Sequence, residues 1–587
     1  MKNLTDSQLL RWLGPIAFFT LFISFIWVGY TSLQAQYELN KVRLQVLEIK
    51  NQGRSADSGD VAEFIDTARL HVASAQRYTS GPAWWLASHT PYLGRTPAAI
   101  QVLTNSLNQV LQNSRELENR LRIQENEHRG VVDPRFIASL LSASSQLKNP
   151  IDVGARDFSN LNYDGVPKVV AEPIKQVGAG FISLAPLVTE SETFNQIAPT
   201  LLGLDKPRTW MLVFLNGAEA RAIGGFPGGW GLLKVSAGSI RLTQIHDDVR
   251  VNLKTLNNWP KYVSSEQANL YGADLSRWAD MNLSPDFPTN ARLMSALMQQ
   301  TEGIKVDGVL ALNQNALAQM MRATGSIKHQ GHMLTAENID DYVTKGIYAD
   351  YQNNRAKNRA TLLIIRQVFD RLSSRNAGPL TVFQALIPPI HDGQMQLWST
   401  DNLIQDKIAK TRAGGALSDT SSPTNAVVLV NGAGNKIDAY ISAKIQYTQG
   451  MCLTDSPYRN SFVRIALKNT APTSGLPSYV IPRSDLPRGD KGTHGSTRMM
   501  VFVHTPLGTS FSEAVLNGKP TALIASGTDN GRQVWRFDVD VNAKSESTLF
   551  VTLNEPALGS EAAPSLWTQS MPIPIKEEVI TGPRCVR

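Results

Sequence analysis

The chain has 587 residues, 42% of them hydrophobic and 18% charged, with a formal net charge of +7. That length is too great for one core, so several domains are expected, and the composition excludes a disordered chain. The basic excess is spread along the sequence without a long Lys/Arg block, which leaves nucleic-acid binding without support and suits a surface facing anionic lipids or glycans.

The first element is the uncharged run WLGPIAFFTLFISFIWVGY, Trp12 to Tyr30. At about 1.5 Å per residue it spans about 28 Å, close to the ~30 Å hydrocarbon core of a bilayer. Trp12, Trp27 and Tyr30 stand near its ends, and Lys2 and Arg11 precede it. The pattern predicts a cytoplasmic tail at 1–11 and a transmembrane helix at 12–33. The chain is then a single-pass protein of the cell membrane, with the lipid bilayer as a partner and its bulk extracellular. The competing reading is a cleaved signal peptide, which also exports the rest.

Residues 34–204 read as an extracellular helical stalk or bundle. Leu39, Val42 and Val46 keep a helical period, as do Val61, Phe64, Ile65, Ala68 and Val72, and then Ile100, Leu103, Leu107 and Val110. Between the last two sets, "GPAWWLASHTPYLGRTP" (81–97) is too rich in Pro and Gly for a continuous helix.

From 205 to 408 strands mix with helices, which predicts an α/β core. "TWMLVFLN" (209–216) and "KVDGVLAL" (305–312) are strands, and "WGLLKVSAGSIRLTQI" (230–245) is a hairpin. "NQNALAQMMRATG" (313–325) is a helix with an Asn N-cap and Gly325 beyond its end, and 359–372 is another. "AKTRAGGALSDTSSPTNA" marks a linker at 409–425. Residues 426–587 hold short strands between turns, an all-β sandwich signature. Within it "NGAGNK" (431–436) reads as a hairpin turn. Cys452 and Cys585 are the two cysteines; in an exported chain they are free to pair, and they form no metal motif.

The stretch NGAEARAIGGFPGGWGLLKV (216–235) is the leading site candidate. Gly224 and Gly225 permit positive φ and close backbone approach, so that free N–H groups face an anion. The alternative is a tight turn, with Glu219 and Arg221 as a surface ion pair.

"FLNGAEARAIGGFPGGWGLLKV", "LSPDFPTNARLMSALMQQTEGIKVDGVLAL" and "NAVVLVNGAGNKIDAYISAKIQY" together resemble the family catalogued as domain of unknown function 4012. Its members are membrane-anchored proteins, mainly of Gram-positive bacteria. The core at 209–372 is also similar to the LytR–CpsA–Psr family, extracellular enzymes that move glycopolymers from a polyprenyl-pyrophosphate carrier to the cell wall. Their order of strand, arginine, hairpin, acidic motif and late arginine-bearing helix is matched by Arg221, by "HDD" (His246 to Asp248), and by Arg355 and Arg359. The chain departs from that pattern at His246, where the family has an arginine.

The resemblance implies a pyrophosphate site of Arg221, Gly224, Gly225, Arg355 and Arg359, whose guanidinium forks suit phosphate oxygens. It implies Asp247 and Asp248 as catalytic carboxylates, with Asp247 holding Mg²⁺. The implied function is a cell-envelope protein acting on or binding lipid-linked or wall-bound glycopolymers, as a phosphoglycan transferase. The alternative is a non-catalytic binding or scaffold protein for a glycan, a lipid carrier or an assembly partner. On that alternative Arg355 and Arg359 are only a solvated helix face.

Overall fold

A computed structural model of the chain describes residues 24–47, 58–127, 142–373, 385–417, 424–557 and 563–585, apart from a few positions inside those ranges. The chain divides into two compact units whose sequence boundary lies between Pro199 and Thr200.

The first unit is helical: α1 (26–47), α2 (Ser58–Tyr78), α3 (Pro82–Ser88), α4 (Arg95–Asn113), α5 (Arg115–Glu127), α6 (Lys148–Ser159) and α7 (Lys168–Leu201). Among the described residues no helix is long and apolar enough to cross a membrane. This corrects the transmembrane helix expected over 12–33. Residues 1–23 and 25 lie outside the described residues, so only 24 and 26–33 of that segment are described, a stretch too short to span a bilayer, and α1 then carries Glu38, Lys41 and Arg43. No helix runs through 81–97, as its Pro and Gly content predicts: the short α3 stops at Ser88 and α4 starts at Arg95. Pro82 opens α3, and in a first turn its missing N–H costs nothing. Trp84 of α3 is fully buried, and its Nε1 donates to Thr31 Oγ1 at 2.8 Å. Trp85 is exposed and stacks on His89. Ala99 and Leu103 of α4, Phe158 of α6, and Ile174 and Phe181 of α7 form a core cluster of this unit.

The second unit begins with the α/β domain. Its strands are β1 (Arg208–Asn216), β2 (Phe226–Ser236), β3 (Ser239–Asp247), β4 (Gly308–Leu312) and β7 (Met395–Ser399), in the order β3-β2-β1-β4-β7. A small hairpin, β5 (Ile327–His329) and β6 (His332–Leu334), lies outside that sheet. β1 and β4 run parallel, and the other neighbours are antiparallel. Its longer helices are α8 (Ser265–Tyr271), α9 (Phe287–Glu302), α10 (Gln314–Thr324), α11 (Asn354–Leu372) and α12 (Asn402–Ile408). The N-caps follow from sequence. Asn313 Oδ1 accepts from Asn315 N and Ala316 N, and Asp286 accepts from Thr289 N, the bonds that satisfy orphan donors of a first turn.

The β-sandwich has two sheets. One has the order β13-β12-β16-β10-β9-β18, the other β14-β15-β11-β8-β17. The strands are β8 (Thr424–Asn431), β9 (Ile441–Cys452), β10 (Tyr458–Asn469), β11 (Thr497–Pro506), β12 (Ser510–Leu516), β13 (Lys519–Pro520), β14 (Ala525–Asp529), β15 (Arg532–Val541), β16 (Glu546–Pro556), β17 (Ser565–Thr568) and β18 (Lys576–Ile580). β8 and β9 belong to different sheets, so "NGAGNK" carries the chain across the sandwich and is not a hairpin turn.

The sandwich is not tethered at a distance from the α/β domain. Val428, Val430, Phe502 and Val534 of the five-stranded sheet share one core cluster with Trp278, Phe287 and Met294. Asp529 is buried at this join and accepts from Gln267 Nε2 (2.7 Å), Tyr271 OH (2.8 Å) and Ser284 Oγ (2.8 Å). Burial alone would raise its carboxyl; His504 and the donors Gln267 and Tyr271 outweigh that and hold it below its ordinary value. Within the expected linker, Ala413 and Gly414 are buried in a 3₁₀ turn; residues 418–423 lie outside the described residues.

Cys452 and Cys585 form a disulfide across a sequence separation of 133. It ties the C-terminal tail to β9. Replacing both by serine is expected to lower the unfolding free energy, with the closed loop setting an upper bound of about 5 kcal/mol. Urea melts of the oxidised protein and the double variant check this, and coincident midpoints contradict it.

Candidate functional site

The glycine-rich loop after β1 is spent on structure. Gly224 and Gly225 have φ of 106° and 148°, as positions reserved for glycine require. A Cβ on Gly225 would sit 2.4 Å from the carbonyl carbon of Asn216. The loop's N–H groups turn inward. Gly217 N donates to Gln314 Oε1, Ala218 N to Asn216 Oδ1, Ala220 N to Asp438 Oδ2, Ala222 N to Asn282 O and Gly224 N to Arg221 O.

Arg221 is buried, and its whole fork is occupied. Nε donates to Ala279 O (3.1 Å), Nη1 to Ala220 O (3.0 Å) and Asn431 O (3.4 Å), and Nη2 to Glu219 Oε1 (2.9 Å) and Asp280 Oδ1 (3.5 Å). Glu219 is buried beside it and also pairs with Lys436 of the sandwich. Burial pushes the Glu219 carboxyl up, but Lys436 and Arg221 prevail and hold it below its ordinary value. Asn431 N donates to Ala220 O and Asp438 N to Ala218 O, so the loops 216–226 and 431–438 satisfy one another's backbone.

The open site lies next to this latch. β1 and β4 end on Leu215-Asn216 and Leu312-Asn313, and the carboxyl ends of parallel strands are where α/β sheets leave a crevice. A small cleft open to solvent lies there. Phe214, Leu215, Leu312, Leu317, Leu362 and Ile365 give it apolar walls. Asn216, Asn313, Gln314, Asn358 and Thr361 add hydroxyl and amide groups, and Lys357 adds an amine. Asn216 Nδ2 donates to Tyr348 OH at 2.9 Å, and the sandwich's Tyr479 OH donates to the carbonyls of Tyr348 and Tyr351. A π-helical turn at Tyr342–Gly346 brings Val343 to the cleft wall. Among the described residues the buried Nε2 of Gln314 has no hydrogen-bond partner.

Lys357 and Asp248 are the perturbed groups here. Burial, and then Lys436, lower the Lys357 ammonium to about 8, with Asp248, Glu219 and Asp247 pulling the other way. Burial raises Asp248 to about 6 against the pull of Lys357. Asn358 Nδ2 reaches Asp248 Oδ1 at 3.4 Å, and Asn252 Nδ2 also donates to this carboxylate.

The residues named from sequence are therefore distributed as follows. Asp248 is buried beside Lys357 and Asn358, and Asp247 is half-buried at the end of β3. Arg221, Gly224 and Gly225 sit in the latch. Arg355 and Arg359 are exposed on α11 and do not line the cleft. His246 is exposed and packs on Trp230. Among the described residues no three His, Cys, Asp or Glu side chains converge as a metal-binding group, so a divalent ion here would rest on one or two carboxylates and the ligand's own oxygens.

Sequence reasoning missed Lys357, Asn358, Asn216, Gln314 and Tyr348. One signal was present for Asn358: stepping back four residues from Leu362, or seven from Ile365, along the apolar face of α11 arrives there. Lys357 lies on the same face, seven residues before Ile364 and eight before Ile365, but a lysine at a helix start reads as a solvated charge.

Residues 205–348 match the family model described as Protein of unknown function (DUF4012). The match takes in β1 to β4 and α8 to α10, hence both cleft strands; it stops short of Lys357 and brings no activity with it. No curated protein and no solved structure matches the chain.

The Lys357 value sets a sign for stability against pH. Between about 8 and about 10.5 the unfolded chain holds the lysine proton and the folded chain does not, so stability rises with pH across that window. Removing the charge with Lys357→Met is expected to add up to about 3 kcal/mol at pH 7 and to flatten this rise. Urea midpoints at pH 7 and pH 9.5 for both proteins measure it; a variant less stable at pH 7, with the rise intact, contradicts it.

Proposed function

We propose that the chain is a cell-envelope protein that binds lipid-linked or wall-bound glycopolymers in the cleft between β1, β4 and α11. The lining of the cleft carries this reading: apolar walls interrupted by the amides of Asn216, Asn313, Gln314 and Asn358. Apolar side chains suit a prenyl stem or the face of a sugar ring. Amides both donate and accept, as sugar hydroxyls require. The Cys452–Cys585 disulfide supports an oxidising, exported setting.

The second reading is phosphoglycan transfer, which the likeness to LytR–CpsA–Psr enzymes implies. Its support is Lys357 in the cleft lining with Asp248 buried nearby, since perturbed groups at a cleft mark candidate acid–base sites. Mg²⁺ on Asp247 would offset pyrophosphate charge in that chemistry. Binding is preferred over transfer because the fork of Arg221 is fully engaged and Arg355 and Arg359 lie outside the cleft lining.

The test is calorimetric titration of the purified full chain with a short-chain polyprenyl pyrophosphate disaccharide, with and without Mg²⁺. Leu362→Trp, which fills the cleft, and Asn358→Leu are expected to weaken binding at least about tenfold, some 1.4 kcal/mol. Arg359→Ala is expected to leave it unchanged. Release of the disaccharide to an acceptor in the presence of Mg²⁺ would favour the transfer reading. A folded protein that does not bind, or that binds equally well with Leu362→Trp, defeats both.

A further inference from the structure

Lys357 is 5% exposed and lines an open cleft. A buried ammonium is stable only when paired. Yet among the described residues no carboxylate lies within 4.0 Å of its Nζ and its Nζ makes no hydrogen bond; it stands over the ring of Tyr348, 5.0 Å from Nζ to the centroid, and Asp248, Glu219 and Asp247 act on it only from beyond ion-pair distance. A second cation, Lys436, stands near enough to disfavour its charge further. Asp247 and Asp248 share the surroundings, and their carboxylates oppose the entry of a simple anion. This is an amine whose charged form is disfavoured by its surroundings and which is left open to a cavity, unlike the spent fork of Arg221.

We propose that Lys357 is an imine-forming amine that captures an aldehyde or ketone carbonyl entering the cleft. Desolvation in an apolar pocket and a neighbouring cation are the two devices by which proteins keep a lysine nucleophilic at neutral pH. The Lys357 value near 8 agrees with both causes. In the step itself, the Nζ lone pair forms a C–N bond to the carbonyl carbon, and the C=O π pair moves to oxygen. One Nζ proton moves to that oxygen to give the carbinolamine; the remaining N–H proton then passes to the hydroxyl, which leaves as water as the nitrogen lone pair forms the C=N bond. No oxidant or reductant takes part. The apolar walls formed by Leu317, Leu362 and Ile365 slow the return of water to that bond. Gln314 Nε2, buried and without a partner among the described residues, is a donor available for the ligand's oxygen. The class of ligand is a small carbonyl compound, which includes the open-chain aldehyde at the reducing end of a sugar. The inference does not depend on the glycopolymer reading.

The experiment treats the purified full chain with glycolaldehyde or pyruvate and sodium cyanoborohydride, which fixes an imine as a secondary amine. Peptide mass spectrometry then follows the adduct at each lysine over time. Lys357 is expected to be modified at least about tenfold faster than the mean of the exposed lysines, despite its burial. Leu362→Trp is expected to slow the reaction at Lys357 alone, and Lys357→Arg to remove that adduct while the others persist. Modification of Lys357 at or below the surface rate in the folded wild-type protein overturns the proposal. Fast capture at Lys357 in a protein that binds no glycopolymer would sustain this inference and refute the earlier reading; the reverse pattern would do the opposite.

Discussion

The second unit depends on the mutual satisfaction of two loops, 216–226 of the α/β domain and 431–438 of the sandwich. Asp438 Oδ2 accepts from Ala220 N and from Asn431 Nδ2, and Asn431 N and Asp438 N return bonds to the first loop. Both loops are buried, where an unmade backbone bond costs the full desolvation of the group. Glu219, Arg221 and Lys436 add a charged cluster at the same seam, and Arg221 and Lys436 both lie over the ring of Phe226. A cluster of this kind destabilises strongly when one partner is removed, whatever its net worth intact. The seam fixes the end of β1, and through Asn216 and Tyr348 it fixes one wall of the cleft.

This arrangement gives the sandwich a role beyond spacing. Its five-stranded sheet completes the apolar core of the α/β domain through Val428, Val430 and Phe502. Its Tyr479 anchors the segment that carries Tyr348, and its Lys436 depresses the charge of Lys357. The chemistry of the cleft is thus set partly by residues more than seventy positions away in sequence, on a different domain.

That dependence explains how much was legible beforehand. Strands such as Arg208–Asn216, the 230–245 hairpin, the capped helix Gln314–Thr324 and most sandwich strands follow local rules of period, turn and cap, and they read directly from sequence. The glycine motif was legible as a special backbone, because Gly225 must pass against Asn216, but its purpose was not, since its partner loop lies over two hundred residues later. Arg355 and Arg359 drew attention through residue type. The face of α11 that meets the cleft is instead given by Leu362, Ile365 and Asn358. The apolar run beginning at Trp12 obeyed a length rule that the described part of α1, with Glu38, Lys41 and Arg43, does not sustain. The β8–β9 connection looked like a hairpin because sequence shows two strands and a turn, and not that the strands lie in different sheets.

The claim that most needs testing is that ligand enters the β1–β4 cleft and not the surface arginines or the outer sandwich. Hydrogen–deuterium exchange of the full chain, with and without a polyprenyl-linked disaccharide, addresses it directly. The account predicts slowed exchange confined to three segments, the end of β1 at 214–217, the start of α10 at 313–317, and 343–362. Slowed exchange on the exposed strands of the six-stranded sheet, with those three segments unchanged, would contradict it.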